Sequence, residues 1–288
     1  MTTCLTAAAA AGALLTLAFP PARLHFTAWI AFVPLFWALG REKRPGWAAL
    51  YGGAFGAAFF MIDLNWIYKT LITHGGFASI TAVLVFVGMA LLLALFPAAF
   101  GLVIGWFNAR GMEPLPIAAF VWTGLEYVRS VALTGFPWDL VGYSQTDCGP
   151  LMQVADITGI YGVSFVILLS NVAVWGVTTA WISKGPIPWR LLLACVVVLI
   201  VALSYGAVRL KQYPPVENPA DGFPIGILQG NIDQAVKWER GARDFTFLTY
   251  EKLGREAVSQ GARLLVWPET SVPVLFGGDD PDWKRAGA

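Results

Sequence analysis

Charged side chains are scarce in this sequence. Asp, Glu, Lys and Arg make up 13% of its 288 residues, about half the roughly 25% of a soluble globular domain. Hydrophobic residues fill the deficit at 57%, and the mean hydropathy is +0.64. No water-soluble fold could cover that much apolar surface, which excludes a soluble globular protein. An excess of one charge is also missing. With 19 basic and 18 acidic residues there is no field to gather nucleic acid, and no nucleic-acid partner is expected. Only two histidines occur, His25 and His74; beside loops at helix ends they read as interfacial residues rather than ligands or bases. Cys4, Cys148 and Cys195 are isolated, with no CxxC and no histidine at ligand spacing. That argues against a zinc site and a disulfide framework, and neither metal nor cofactor is expected. A basic n-region is lacking ahead of the Ala-rich run that begins the chain, so this run reads as a first membrane helix and not a signal peptide.

What the sequence does contain is a series of apolar runs. A bilayer core of about 30 Å takes roughly 17–25 apolar residues per helical crossing, and about seven candidates meet or approach that length. They lie near 4–19, 26–40, 46–68, 79–107, 115–133, 160–182 and 190–208. The first two are short and joined through Phe19-Pro20-Pro21, which leaves open two crossings or one broken hairpin. Gly52, Gly53, Gly56, Gly101 and Gly105 fall inside these runs, where small residues let helix backbones approach. Trp47, Trp66, Trp106, Trp181 and Trp189 fall at their ends, as interfacial belts require. Loops on one side hold Arg41, Lys43, Arg44, Arg110, Lys184 and Arg190, and the other side Arg23, Lys69 and Arg129. Cytoplasmic loops keep the basic excess, so an inside amino terminus and seven crossings would deliver the chain after about residue 209 to the outer face.

Residues 1–208 thus read as a polytopic helical bundle, and 209–222, with Pro214, Pro215 and Pro219, as a linker. From 223 to 288 charge density is that of an ordinary globular domain. Phe223–Gly230 reads as a buried strand, Ala242–Gln260 as a helix stopped by Gly261, and Leu264–Trp267 as a second buried strand. A β-α-β unit of this kind pairs its strands in parallel. Ligands gather at the carboxyl ends of such strands, where Gln229-Gly230-Asn231 and Glu269 fall. Trp267 and Pro268 are expected to desolvate the Glu269 carboxylate and raise its pKa toward that of a general base. The alternative is a Glu that caps a loop or helix start.

These residues resemble a known family. Ile227-Leu228-Gln229-Gly230-Asn231, Lys237-Trp238 and Leu265-Val266-Trp267-Pro268-Glu269-Thr270 look like the opening of the nitrilase-like α/β sandwich of bacterial apolipoprotein N-acyltransferases. Upstream matches are Leu17–Pro21, Trp122 with Glu126 and Arg129, Gly135–Trp138, Gly142–Gln145 and Gly159–Phe165. The resemblance implies transfer of an acyl chain from a membrane phospholipid to the amino group of an S-diacylglyceryl cysteine that begins an apolipoprotein. It further implies a bacterial inner-membrane enzyme with its C-terminal domain on the periplasmic side, expected as a monomer. By resemblance Glu269 is the general base, acting on a Cys that forms a thioester acyl-enzyme while a Lys stabilises the oxyanion. The chain as written stops at Ala288, before that Lys and Cys. Lys284 lies too close behind Glu269 to match, and the three cysteines all precede the domain. An incomplete domain of about 65 residues, short of the usual 100–150, is expected to be inactive alone. A membrane-tethered nitrilase-type amidohydrolase and a non-catalytic membrane scaffold are the alternatives.

Two further substrate contacts are expected. Trp238 matches a family Trp placed by the acyl chain, or else is core. Trp138, in the aromatic loop from Thr134 to Thr158, either lines the entry route of lipid-modified substrates or braces the domain. Glu126 and Arg129, three apart on one helix face, are expected to pair with each other. Asp63 and Asn65 are expected to be satisfied by water or by this loop.

Overall fold

The computed structural model describes residues 1–213, 222–233, 242–269 and 271. Contacts divide the chain into two units, Met1–Pro214 and Pro215–Ala288.

In the first unit, four helices are long and apolar enough to cross a membrane. They are α3 (Pro45–Asp63), α5 (Ser79–Ala109), α9 (Ile160–Ser183) and α10 (Trp189–Gln212). The remaining expected crossings are shorter. α1 (Thr2–Thr16) has 15 residues, α6 (Leu115–Val131) has 17, and α2 (Val33–Gly40) only 8 behind a 3-10 turn at His25–Trp29. Of the seven candidate crossings, four are thus of full membrane length, and the alternative left open for the first two is decided toward short helices. α1 ends before Phe19-Pro20-Pro21 because proline has no N–H to continue the ladder, so residues 4–40 are a broken pair of short helices and not two crossings of membrane length.

The third expected span is broken as well. It ends at Asp63, and α4 (Asn65–Thr73) restarts after Leu64. The Asn65 amide donates to the Ile62 carbonyl at 2.5 Å, the local competition with the helix ladder that makes Asn a helix interrupter. Short helices α7 (Gly149–Met152) and α8 (Ala155–Thr158) complete the loop that precedes α9.

Close packing of α1, α3 and α5 rests on glycine. A Cβ on Gly52 would run into the Pro97 carbonyl, and one on Gly101 into that of Ala48. The α3 and α5 backbones therefore touch, a contact driven by dispersion where no water is available to be expelled. At the far end of α10, the Tyr205 hydroxyl donates to both Asp156 carboxylate oxygens at 2.6 and 2.8 Å, and Arg209 Nε donates to Oδ2 at 2.8 Å. α10 thus ends on the rim that carries α8 and the aromatic loop.

The opposite rim holds the turn between α2 and α3. Glu42 Oε1 accepts from the Arg44 amide at 3.0 Å and Nε at 2.9 Å, and Oε2 from Arg44 Nη2 at 3.0 Å and the Tyr51 hydroxyl at 3.3 Å. Asn108, near the end of α5, donates to the Leu39 and Glu42 carbonyls at 2.9 and 3.2 Å. Arg41 and Arg110 lie over the rings of Trp37 and Trp106, at 4.1 and 3.6 Å.

In the second unit, β1 (Ile225–Ile227) and β2 (Leu264–Val266) pair in parallel, with Ile225 opposite Leu264. Helix α11 (Ala242–Ser259) connects them and ends before Gly261, whose φ of +94° suits glycine. The strands are not buried as expected. Ile225, Ile227, Leu264 and Val266 are exposed, because alternate strand residues share a face and this one has no cover among the described residues.

The Arg44 guanidinium, hydrogen-bonded to Glu42, holds its carboxyl down from 4.5 to about 2. A depressed carboxyl pKa contributes stability that is complete above the unfolded value and lost as pH falls through the folded one. The thermal stability of the wild type relative to Glu42→Gln in detergent should therefore stay constant at pH 5–8 and shrink between about pH 4.5 and 2. A gap that widened on acidification would contradict this assignment.

Candidate functional site

Trp122, Glu126 and Arg129 occupy one face of α6 at the spacing of successive helical turns. Glu126 and Arg129 are both buried. The Trp122 indole and the Val141 amide donate to Glu126 Oε1 at 3.1 and 2.8 Å. Arg129 Nη1 donates to the carbonyls of Phe136 and Trp138 at 3.2 and 2.7 Å, and Nη2 to that of Asp139 at 3.4 Å. The expected Glu126–Arg129 pair is absent among the described residues. The loop folds back over the end of α6, supplying carbonyls to the cation and an amide to the anion, which the Trp122 indole also serves.

The same loop is tied to the rest of the bundle. The Gly142 amide donates to Ser164 Oγ of α9 at 2.8 Å. Gln145 accepts from the Trp29 indole at 3.1 Å and donates to the His25 carbonyl at 3.0 Å. Asn171 accepts from the Phe32 amide at 3.1 Å and donates to the Ala28 carbonyl at 2.8 Å. Gln145 stood out only as the end of the Gly142–Gln145 match and Asn171 not at all, since polar residues in apolar runs give no sign of a distant backbone partner.

Asp63 was expected to meet water or the loop, and it meets the loop. Its carboxyl lies close to that of Asp139. Burial pushes the Asp139 carboxyl up, against the opposing pull of Asp63 and Arg129. Glu126 Oε2 and Asp139 Oδ2 are buried without a hydrogen-bond partner among the described residues. Both residues line a cavity of about 20 Å³ beside Phe59, Phe60 and Trp122, room for about one water molecule. Sequence reading missed Asp139, whose only signal is its place directly after Trp138.

Trp138 is half exposed. Its ring stacks on Phe136 at 6.2 Å and lies 5.2 Å from Trp66 of α4. The three rings form an aromatic ledge on the rim, held from behind by Arg129.

In the second unit, the Leu228 amide donates to the Val266 carbonyl at 2.9 Å, so Gln229-Gly230-Asn231 and Glu269 leave the sheet at one edge. Glu269 is exposed. The expected desolvation by Trp267 is not found, because the Trp267 ring turns away to stack on Tyr250 of α11 at 5.1 Å and 20°. Gly230 lies against the Tyr250 ring, where a Cβ would come within 2.8 Å. Lys237, Trp238 and Lys284 lie outside the described residues.

Residues 11–173 match the family described as apolipoprotein N-acyltransferase N-terminal domain. The apolipoprotein N-acyltransferase of Geobacter metallireducens is 38% identical over 273 residues, which is 94% of this chain and 51% of the relative. Those of Photobacterium profundum and Shewanella oneidensis are 34% and 33% identical, over 92% and 91% of this chain and 49% of each relative. The chain spans about half the length of these curated relatives.

If Arg129 holds the loop, Arg129→Ala should speed amide exchange across residues 135–146 at least about 30-fold, the equivalent of about 2 kcal/mol of charge-assisted hydrogen bonding. Arg129→Lys should fall between, since a compact ammonium cannot fork across three carbonyls. Unchanged exchange in the Ala variant would show that the loop is held by other contacts.

Proposed function

The chain belongs to the apolipoprotein N-acyltransferase family, and on that premise we propose that it serves phospholipid-dependent N-acylation of lipoproteins. Its helical unit sits in the bacterial inner membrane with the aromatic-ledge rim facing the periplasm. The acyl donor is a membrane phospholipid, and the acceptor is the amino group of an S-diacylglyceryl cysteine. The observation that carries this reading is the place of Glu269, exposed and at the carboxyl edge of a parallel strand pair, in a chain with a membrane bundle.

In this reading Glu269 takes the proton of a cysteine thiol. The thiolate attacks the phospholipid ester carbonyl, the ester C–O bond breaks, and the lysophospholipid alkoxide leaves with a proton. The acyl group is then held as a thioester. Glu269 next accepts a proton as the incoming amine attacks, and the thiolate leaves. In this reading the thiol, and the ammonium that stabilises both tetrahedral oxyanions, are supplied from outside these 288 residues.

A membrane-embedded bundle suits such chemistry on energetic grounds. Donor and acceptor are both lipid-anchored, and drawing an acyl chain into water costs about 0.8 kcal/mol per CH₂. Reaction at the rim avoids that cost. Trp138, with Phe136 and Trp66, offers a flat apolar surface at headgroup level over which such chains can pass.

Fusing these 288 residues to the C-terminal half of the Geobacter metallireducens relative, in proteoliposomes with acyl-labelled phospholipid and a diacylglyceryl peptide, tests the reading. The fusion should form a labelled thioester and transfer it, and Glu269→Gln should lower the rate about 10³-fold. The 288-residue chain alone should not turn over. Retention of more than about a tenth of the rate by Glu269→Gln would remove the base assignment. Trp138→Ala in the same fusion should raise KM for the lipid substrates about tenfold with a smaller change in kcat, since it removes binding and not chemistry. Normal kinetics with both substrates would remove the entry-route role.

A further inference from the structure

A groove of about 800 Å³ runs along the flank of α6, α9 and α10 at the basic rim. Its body is apolar: Phe165, Leu169, Leu191 and Val198 line it, and the rings of Phe120 and Phe165 pack at 4.7 Å within it. Phe120 and Trp189 are largely exposed, so in a bilayer the groove is open sideways to lipid. Two of its lining residues are charged and of opposite sign, Arg190 and Glu113. Both are exposed, and neither makes an ion pair or a side-chain hydrogen bond among the described residues. The acid has no nearer claimant in its own turn, because Arg110 lies over Trp106. A recess of about 340 Å³ also has Glu113 in its wall, together with Lys43, so the carboxylate can be reached from either cavity.

We propose that this groove binds a zwitterionic phospholipid with a primary-amine headgroup, drawn from the leaflet on the basic rim. An acyl chain lies along the apolar body. The guanidinium of Arg190 takes the phosphate, for which its planar fork is matched. The carboxylate of Glu113 accepts hydrogen bonds from the ammonium. A headgroup with one negative and one positive pole answers both side chains. A phosphoglycerol headgroup leaves Glu113 without a cation, and a choline headgroup has no N–H to donate. The groove therefore selects on headgroup through a pair of charges and tolerates any chain through its apolar walls. This site goes beyond the acyl transfer proposed above, and its test involves no transfer.

The 288-residue chain, purified in mild detergent, is mixed with equal amounts of phosphatidylethanolamine, phosphatidylglycerol and phosphatidylcholine of the same acyl composition and examined by native mass spectrometry. The ethanolamine lipid should be retained preferentially on a monomer. Arg190→Gln should reduce its retention about tenfold or more, the scale of one charge-assisted phosphate contact. Glu113→Gln should abolish the preference over the other two lipids. A photoreactive acyl chain on the ethanolamine lipid should label α6 or α10. Both substitutions are at exposed side chains, and an unchanged melting temperature confirms that the fold is intact. Equal retention of all three lipids by the wild type, retention indifferent to both substitutions, or a dimer that buries the labelled helices would each overturn the proposal.

Discussion

Inside a bilayer a backbone amide or carbonyl that leaves a helix finds no water, and the first unit is organised around that constraint. Two stretches leave the helical ladder, the connection through Phe19 to Phe32 and the loop from Ala132 to Gly159. Each is answered by a small set of side chains on fixed helices. Asn171 in the middle of α9 serves the first from one side. Gln145 reaches the His25 carbonyl from the other. Glu126 and Arg129 serve the second, one taking an amide and the other three carbonyls. The charges are thus spent on backbone groups, which costs less than leaving either set buried and unmet.

That arrangement decides what the rim can offer to lipid. With the carbonyls of Phe136 and Trp138 pinned from behind, Trp138 is left half exposed and packs against Trp66 at the start of α4, while Phe136 lies half-buried against the core. The break at Leu64 serves the same end: an uninterrupted α3 would carry Trp66 on past the rim along its own axis. The ledge is therefore the product of two interruptions, one in a helix and one in a loop. Both are stabilised by short-range polar contacts, and neither needs a ligand to form.

The long apolar helices were legible in the sequence because length and hydropathy are sufficient to specify them. So were the parallel β-α-β order and the stop at Gly261, which depend on local propensity. The breaks were legible only as alternatives. Phe19-Pro20-Pro21 announced one, while Asn65 looked like an ordinary polar residue near a helix end. The Glu126–Arg129 pair failed as an expectation because i,i+3 spacing describes an isolated helix. It carries no information about a loop that returns ten residues later with better-placed partners. Glu269 shows the same limit: Trp267 is only two residues away in sequence, but its ring stacks on Tyr250, a residue on another element. Trp238 falls outside the described residues, so its expected role stays on the resemblance alone.

The rule that basic residues mark the cytoplasmic rim also changes once partners are known. A residue count treats Arg129 as a charge on the ledge rim, yet its guanidinium is buried against three carbonyls and presents little to a headgroup. Arg209 on that rim is held by Asp156, which leaves Arg23, Lys69 and Lys211 exposed there. On the opposite rim Arg44 is held by Glu42, but Arg41, Lys43, Arg110, Lys184 and Arg190 remain exposed. Two of them lie over tryptophan rings, a contact that keeps the charge at interface depth without neutralising it. The exposed basic side chains are therefore still in excess on the rim opposite the ledge. The same residue type takes two roles here: on one rim arginines stay exposed beside tryptophan rings, and on the other Arg129 serves as a scaffold for backbone.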